Sequence, residues 1–295
     1  MATNRDAQWI QHEYLDTYRI ASLVETYANS HINYLRELEA LTLDCGICAF
    51  IPHWQKDTAL HKFIRYAAEI MLEDDNSGKY KVAFGGDPVH PKWTLPLEEA
   101  LVTYGIQDEV LWEIPEIAPV EKTQDNGVIY TTDAPELRNA CYEYFQEMQM
   151  TQVYNDLLHK ISDEVFFVMF TNRVALQNLH QYLAYHVLND SMEYLEPDHP
   201  QLMKFYTKSG RMRRTHIPMW ARRAIFFRDR GICTKCKKDI SGLLNPFSRE
   251  NYDHIVPLAE GGLNDVTNLQ LLCESCNNKK SARLEPTSKQ YQRWF

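Results

Sequence analysis

Apolar residues recur at helical spacing through most of the chain, with a mixed stretch in the middle and a break before the C-terminal third. From about Arg5 to Leu43, rich in Leu, Glu, Ala and Tyr, the positions Ile20, Leu23, Val24 and Tyr27 predict one or two amphipathic helices. Leu60, Phe63, Ile64, Ala67, Ala68 and Met71 keep the same period and predict a helix over about Thr58–Leu72, ended by the polar run Glu73–Gly78. From Lys79 to Thr132 the pattern is mixed. Tyr80–Phe84 and Val128–Thr131 read as short strands, and a short helix is expected after Pro96. Helical spacing returns from Ala134 to Leu188, with Leu157, Val165, Phe166, Met169, Leu176, Leu179, Leu183 and Val187 as the expected core. Asp190–Pro218, with Pro197, Pro200 and Pro218, reads as a linker. Met219–Arg230 reads as a basic amphipathic helix capped by Gly231.

At roughly 100–200 residues per domain, 295 residues predict two domains. The pattern places them at 1–203, mainly α-helical with a few short strands, and 204–295, with the linker at about 190–218. Charge sharpens this division. The whole chain carries a formal −9, which argues against a nucleic-acid partner. Residues 204–295, however, hold 18 Lys and Arg against 8 Asp and Glu, a net +10, while 1–203 hold 13 against 32, a net −19. A basic segment joined to an acidic one points to nucleic acid as the partner of the basic part. The plainer reading of the acidic part is a soluble helical domain. No apolar run approaches the roughly 18 residues of a membrane span, and the N-terminus lacks the apolar core of a secretory signal, so a cytoplasmic location is expected.

Four of the seven cysteines sit in two tight pairs, Cys233-x2-Cys236 and Cys273-x2-Cys276. In a reducing compartment such pairs indicate metal rather than disulfides. Two knuckles of this kind supply the tetrahedral thiolate shell of structural Zn²⁺, a closed set with no position left for substrate. The insert between them holds Tyr252-Asp253-His254-Ile255-Val256-Pro257-Leu258, then Gly261-Gly262, then Asn268-Leu269, and the second pair is followed by Asn277-Asn278-Lys279-Lys280. This order resembles the HNH endonuclease family, in its zinc-stabilised branch, across about Arg222–Arg283.

The resemblance implies an α+β ββα-metal domain at the C-terminus that hydrolyses DNA phosphodiester bonds, by nicking or double-strand cleavage. His254 would be the general base, suited to it because imidazole titrates near neutral pH. Asp253 and Asn277 would hold a catalytic Mg²⁺ or Mn²⁺, an oxygen-only ligand set. Asn268 would brace the loop that carries the histidine. As neighbours on a regular strand, Asp253 and His254 would face opposite ways, so they are expected at a strand end or bulge. Gly261-Gly262 suits a tight turn between the strands. Lys280 matches the family's closing lysine and is expected at a phosphate, with Lys279 and Arg283 as weaker candidates. Arg213, Arg214, Arg222 and Arg223 are expected to track the backbone of double-stranded DNA.

The family includes restriction enzymes and phage-defence effectors, and an accessory domain with no DNA-binding signature makes a bacterial restriction or anti-phage effector the expected context. The −19 segment would then compete with DNA, as an autoinhibitor, or dock a protein partner. The alternative is a zinc-stabilised DNA-binding or adaptor subunit of a defence complex, without cleavage of its own. Elsewhere, Cys45-x2-Cys48 with His53 and His61 downstream reads as buried thiols rather than a second metal site, and Cys141 as core. His159, His180 and His186 read as ordinary helix residues.

Overall fold

The structure, a computed structural model, describes residues 4–42, 46–76, 95–106, 120–124, 127–131, 135–189, 199–242 and 251–289. The architecture is mainly helical with a small antiparallel sheet near the C-terminus, as the hydrophobic pattern predicts. Helices α1 (Asn4–Asn29), α2 (Leu35–Thr42), α3 (Ala59–Asn76), α4 (Pro96–Thr103), α5 (Pro135–Gln149), α6 (Gln152–Met169) and α7 (Arg173–Asn189) precede α8 (Met219–Asp229) and α9 (Glu274–Lys280). Strands β1 (Val120–Gln124) and β2 (Gly127–Thr131) form one hairpin, and β3 (Tyr252–His254) pairs with β4 (Leu269–Leu271) in another antiparallel sheet. The strand expected at Tyr80–Phe84 lies outside the described residues, as does Cys45. Helix α3 runs four residues past Leu72, through Asp74 and Asp75. Arg19 meets Asp75 there in a bidentate pair at 2.8 and 2.9 Å, which neutralises one acidic group in the last turn.

The chain forms two compact units. One comprises residues 1–20 and 64–165, with Ile64, Ala67, Ala68, Leu97, Leu101, Phe145, Leu157, Ile161 and Val165 in its core. The other comprises residues 21–63 and 166–295. Packing therefore groups the basic C-terminal segment with residues 21–63 and 166–203, and the division by charge near residue 203 falls inside this second unit.

The reason is visible in the buried contacts. Tyr182 on α7 donates to Leu38 O at 2.9 Å and lies 3.3 Å from the Thr42 hydroxyl, joining α2 to α7. Asp229, at the end of α8, accepts from Arg173 of α7 (3.2 Å), from both ends of the Arg228 guanidinium fork (2.9 Å each) and from the Leu271 N–H (2.9 Å). Arg228 donates onward to Leu269 O at 2.6 Å. Helices α7 and α8 are thus tied to β4 through charges that water does not reach. Removing Asp229 takes away the carboxylate that these two buried guanidinium groups share. Asp229→Ala is expected to cost about 3–5 kcal/mol, read as a lowered midpoint in denaturant unfolding. A change within ±0.5 kcal/mol would refute this role for the cluster.

Of the residues expected as a linker, 199–218 are described and carry regular contacts. Tyr206 and Met212 form an antiparallel bridge, with Arg213 N donating to Phe205 O at 2.8 Å, so a tight hairpin presents the arginine run. The left-handed turn expected at Gly231 begins one residue earlier: Arg230 has φ 56° and Gly231 follows at 62°. Among the described residues no helix is long and apolar enough to cross a membrane.

Candidate active site and metal centre

The two cysteine knuckles converge. Sγ atoms of Cys233, Cys236, Cys273 and Cys276 lie within 4.8 Å of one another, with Cys236 and Cys273 at 3.6 Å. A tetrahedron with Zn–S bonds of about 2.3 Å has sulfurs about 3.8 Å apart, so the set fits that ion. Its electrostatics fit as well. Burial opposes ionisation of Cys273, but hydrogen bonds from Ser275, the Cys276 backbone and the neighbouring thiols bring it down to about 6. Burial and those same sulfurs push Cys276 up to about 12. Ionised thiols this close repel one another, so a bound cation would favour the thiolate forms. Cys233, Cys273 and Cys276 belong to the apolar core with Ile217, Ala221, Ile225, Leu269 and Leu271, so the centre is continuous with the packing of this region.

Between the knuckles, the short β3–β4 pair sets the register. Asp253 stands opposite Gln270 and His254 opposite Leu269. His254 is the last residue of β3, so the neighbours take up different surroundings at the strand end: His254 is buried and Asp253 half-buried. Ile255 N then donates to Asn268 O at 2.7 Å. The fully buried Asn268 side chain takes a bond from Val256 N (2.9 Å) and gives two, to Val256 O and Leu263 O (3.0 Å each). Both ends of the loop after His254 are therefore pinned by one amide.

Gly261 (φ 82°) and Gly262 make the turn. A Cβ on Gly261 would meet Ala184 O of α7 at 2.7 Å, and one on Gly262 would meet Val256 O at 2.0 Å. The first glycine lets the loop lie against α7, and the second lets it close on itself.

The His254 imidazole is 4% exposed and its Nε2 has no hydrogen-bond partner among the described residues. Burial, with the nearby Arg214 guanidinium adding to it, pushes its pKa down to about 3. The ring is neutral at physiological pH, and burial moves its titration below the near-neutral range expected from sequence; Nε2 is a ring nitrogen unused by the fold.

Asp253 accepts from Gln270 Nε2 and Lys280 Nζ, each at 2.9 Å and both on Oδ2. Burial raises its pKa against the opposing pull of Lys280 and Gln270. A desolvated carboxylate of this kind gains from a cation. Asn277 is half-buried on α9, one turn before Lys280. Asp253 and Asn277 offer the oxygen atoms that suit Mg²⁺ or Mn²⁺.

The cations expected at DNA divide into two groups. Arg213, Arg214, Arg223, Lys279 and Arg283 are exposed. Lys280 and Arg222 are each 2% exposed and do not fit the phosphate contacts expected of them. Lys280 spans from His254 O (2.8 Å) to Asp253, and Arg222 lies against the His216 ring at 3.4 Å. Both are interior struts because the short α9 and the helix α8 turn these positions inward.

Gln270 is a site residue that sequence reasoning missed. It stands in an apolar-looking strand, and only the register opposite Asp253 gives it meaning. Also missed were residues distant in sequence. Asp265 accepts from Thr267 N (2.8 Å), Thr267 Oγ1 (2.6 Å) and Ala59 N at the start of α3 (2.9 Å). The buried His180 lies 2.8 Å from the Thr267 hydroxyl. No local signal marks either contact.

The family model described as HNH endonuclease matches residues 233–283. An HNH domain is thus present there, spanning both cysteine pairs and Asp253, His254, Asn268 and Asn277. Comparison with curated proteins and with solved structures returns no match.

Proposed function

We propose that the HNH domain at 233–283 makes this chain a divalent-metal-dependent endonuclease acting on DNA, with His254 as the general base. One observation carries the reading. A neutral, buried imidazole with an unused Nε2 stands beside a desolvated carboxylate, on a loop pinned by Asn268. His254 Nε2 takes the proton of the attacking water as its oxygen bonds to phosphorus and the P–O bond to the leaving alkoxide breaks. A Mg²⁺ or Mn²⁺ held by Asp253 and Asn277 would supply charge stabilisation at the phosphate and the leaving oxygen. Gln270 and Lys280 hold Asp253 in place. The exposed Arg213, Arg214, Arg223, Lys279 and Arg283 hold the phosphodiester backbone of double-stranded DNA. The four cysteines hold structural Zn²⁺ and take no part in the chemistry.

The purified full chain should convert supercoiled plasmid to open-circular or linear product with Mg²⁺ or Mn²⁺, and not with EDTA. Absence of cleavage with Mg²⁺, Mn²⁺ and Ni²⁺, alongside intact DNA binding, supports the binding-subunit alternative.

The wider context we infer is restriction or anti-phage defence in the bacterial cytoplasm, with the −19 segment restraining the nuclease or docking a partner. It rests on the charge split and on the range of the family. Expression of the chain should lower phage yield, and neutralising acidic residues of 1–203 should tighten DNA binding by the full chain. Unchanged yield and unchanged affinity sink these two readings respectively.

A further inference from the structure

We infer that Trp54, far outside the HNH match, is a positioning residue of the nuclease site that fixes and shields the His254 imidazole. The inference rests on the reading of His254 as the base. The indole centroid lies 6.3 Å from that of His254, tilted by 40°, within the range where aromatic rings attract through their quadrupoles. His254 thus has an aromatic neighbour on one side, with Asn268 fixing the loop behind it.

Trp54 is held there from both ends. Its backbone N–H donates to Asn264 O and its indole Nε1–H to Thr215 Oγ1, each at 2.9 Å. Those two partners are themselves joined: Asn264 Nδ2 donates to Arg213 O at 2.8 Å and faces His53 Nε2 at 3.2 Å, while Thr215 lies 3.3 Å from His53 Nδ1. His53 in turn packs its ring on Phe205 at 4.7 Å. The segment His53–Trp54 is therefore locked between the loop that follows His254 and the arginine hairpin, the two elements that would meet DNA.

The backbone tells the same story. Trp54 has φ 56°, a left-handed conformation that bulky side chains rarely adopt and that persists where surrounding contacts over-determine it. The competing reading is an indole that only fills space, since Trp54 also packs, partly buried, against the apolar cluster beneath the zinc knuckles. Space-filling does not need the left-handed backbone. Positioning a ring against His254 uses it, and the indole N–H bond to Thr215 fixes the ring's direction. The function that follows is to hold the imidazole plane so that Nε2 keeps its direction, and to limit access of bulk solvent to it.

The test uses the full chain and a readout that does not depend on cleavage. Diethyl pyrocarbonate acylates accessible neutral imidazoles, and peptide mass mapping gives the rate at His254 relative to the exposed His159. Trp54→Ala should raise that ratio several-fold and Trp54→Phe should stay near wild type, because the ring is what shields. Thr215→Val, which frees the indole but leaves it in place, should give an intermediate rise and keeps the test open should Trp54→Ala not fold. In plasmid cleavage Trp54→Ala should lose about tenfold or more in kcat with little change in KM, and Phe should restore most of it. A modification ratio unchanged in Trp54→Ala and Thr215→Val overturns the inference. A wild type that cleaves no DNA sinks the nuclease reading instead, while the His254 ratio still decides whether Trp54 shields the imidazole.

Discussion

His254→Ala is expected to abolish DNA cleavage by the full chain while leaving its zinc content and DNA affinity almost unchanged. A positioned general base contributes about 10²–10⁴ in rate, and loss toward the upper end is expected here because, among the described residues, neither Lys280 nor His180 is placed to replace it. Lys280 is spent on Asp253 and the His254 carbonyl, and His180 is buried against Thr267. The loop is held by Asn268 through backbone groups and Nε2 has no partner among the described residues, so removing the ring gives up its hydrogen bond with Asn264 but none of the loop's own anchors. Removing the ring therefore separates chemistry from architecture. The measurement is the conversion rate of supercoiled plasmid at saturating Mn²⁺, beside fluorescence anisotropy for DNA binding and metal analysis for zinc. Residual activity above about a tenth of wild type would remove His254 from the role of base. Equal loss of DNA binding would instead make it a structural or contact residue.

The parts of this site legible in sequence are those whose spacing is itself the chemistry. Two C-x2-C pairs announce a thiolate cluster whatever lies between them, and Asp253-His254 followed by Gly261-Gly262, Asn268 and Asn277 carries the order of an HNH core. Helical periodicity likewise marked the interior positions Leu157, Leu176, Leu183 and Val187, all buried.

What the sequence could not convey is which surfaces those elements need. From Gly261 to Cys273 every residue is buried, and the covering groups come from far away: Ala184 and Leu188 against Gly261, Ala59 against Asp265, Trp54 against Asn264. Charge divided the chain near residue 203, yet hydrophobic and polar contacts group residues 21–63 and 166–203 with the basic segment. Net charge reports on partners and solubility, not on packing. The same distinction explains Lys280 and Arg222. A cation in sequence is a candidate phosphate contact until burial shows which anion, carbonyl or ring it serves.

If the four cysteines hold zinc as proposed, removing that centre should have a larger effect on stability than Asp229→Ala or loss of the His254 ring. Apparent binding free energies of structural zinc in small thiolate modules are on the order of 10 kcal/mol or more, which equals or exceeds the whole stability of an ordinary domain at about 5–15 kcal/mol. Here the module is not isolated. Cys233 is fully buried, and Cys233, Cys273 and Cys276 pack with Ile225, Leu269, Leu271 and Leu272. The knuckle backbone is also stitched to β4, with Thr234 N donating to Leu271 O at 2.9 Å. Loss of the ion would leave thiols that repel one another once ionised, beneath the strand that faces Asp253 and His254. Cys233→Ser or Cys276→Ser should therefore lower the melting temperature by about ten degrees or more, equivalent to about 2.5–5 kcal/mol for a unit of this size, and should eliminate bound zinc. Cleavage should fall with the fold, so that Mn²⁺ added to the variant restores nothing. The decisive comparison is with Cys141→Ser, a buried thiol outside the cluster that should leave the zinc content intact. Should Cys233→Ser keep both its metal and its melting temperature, the four-thiolate centre is not what holds this domain together.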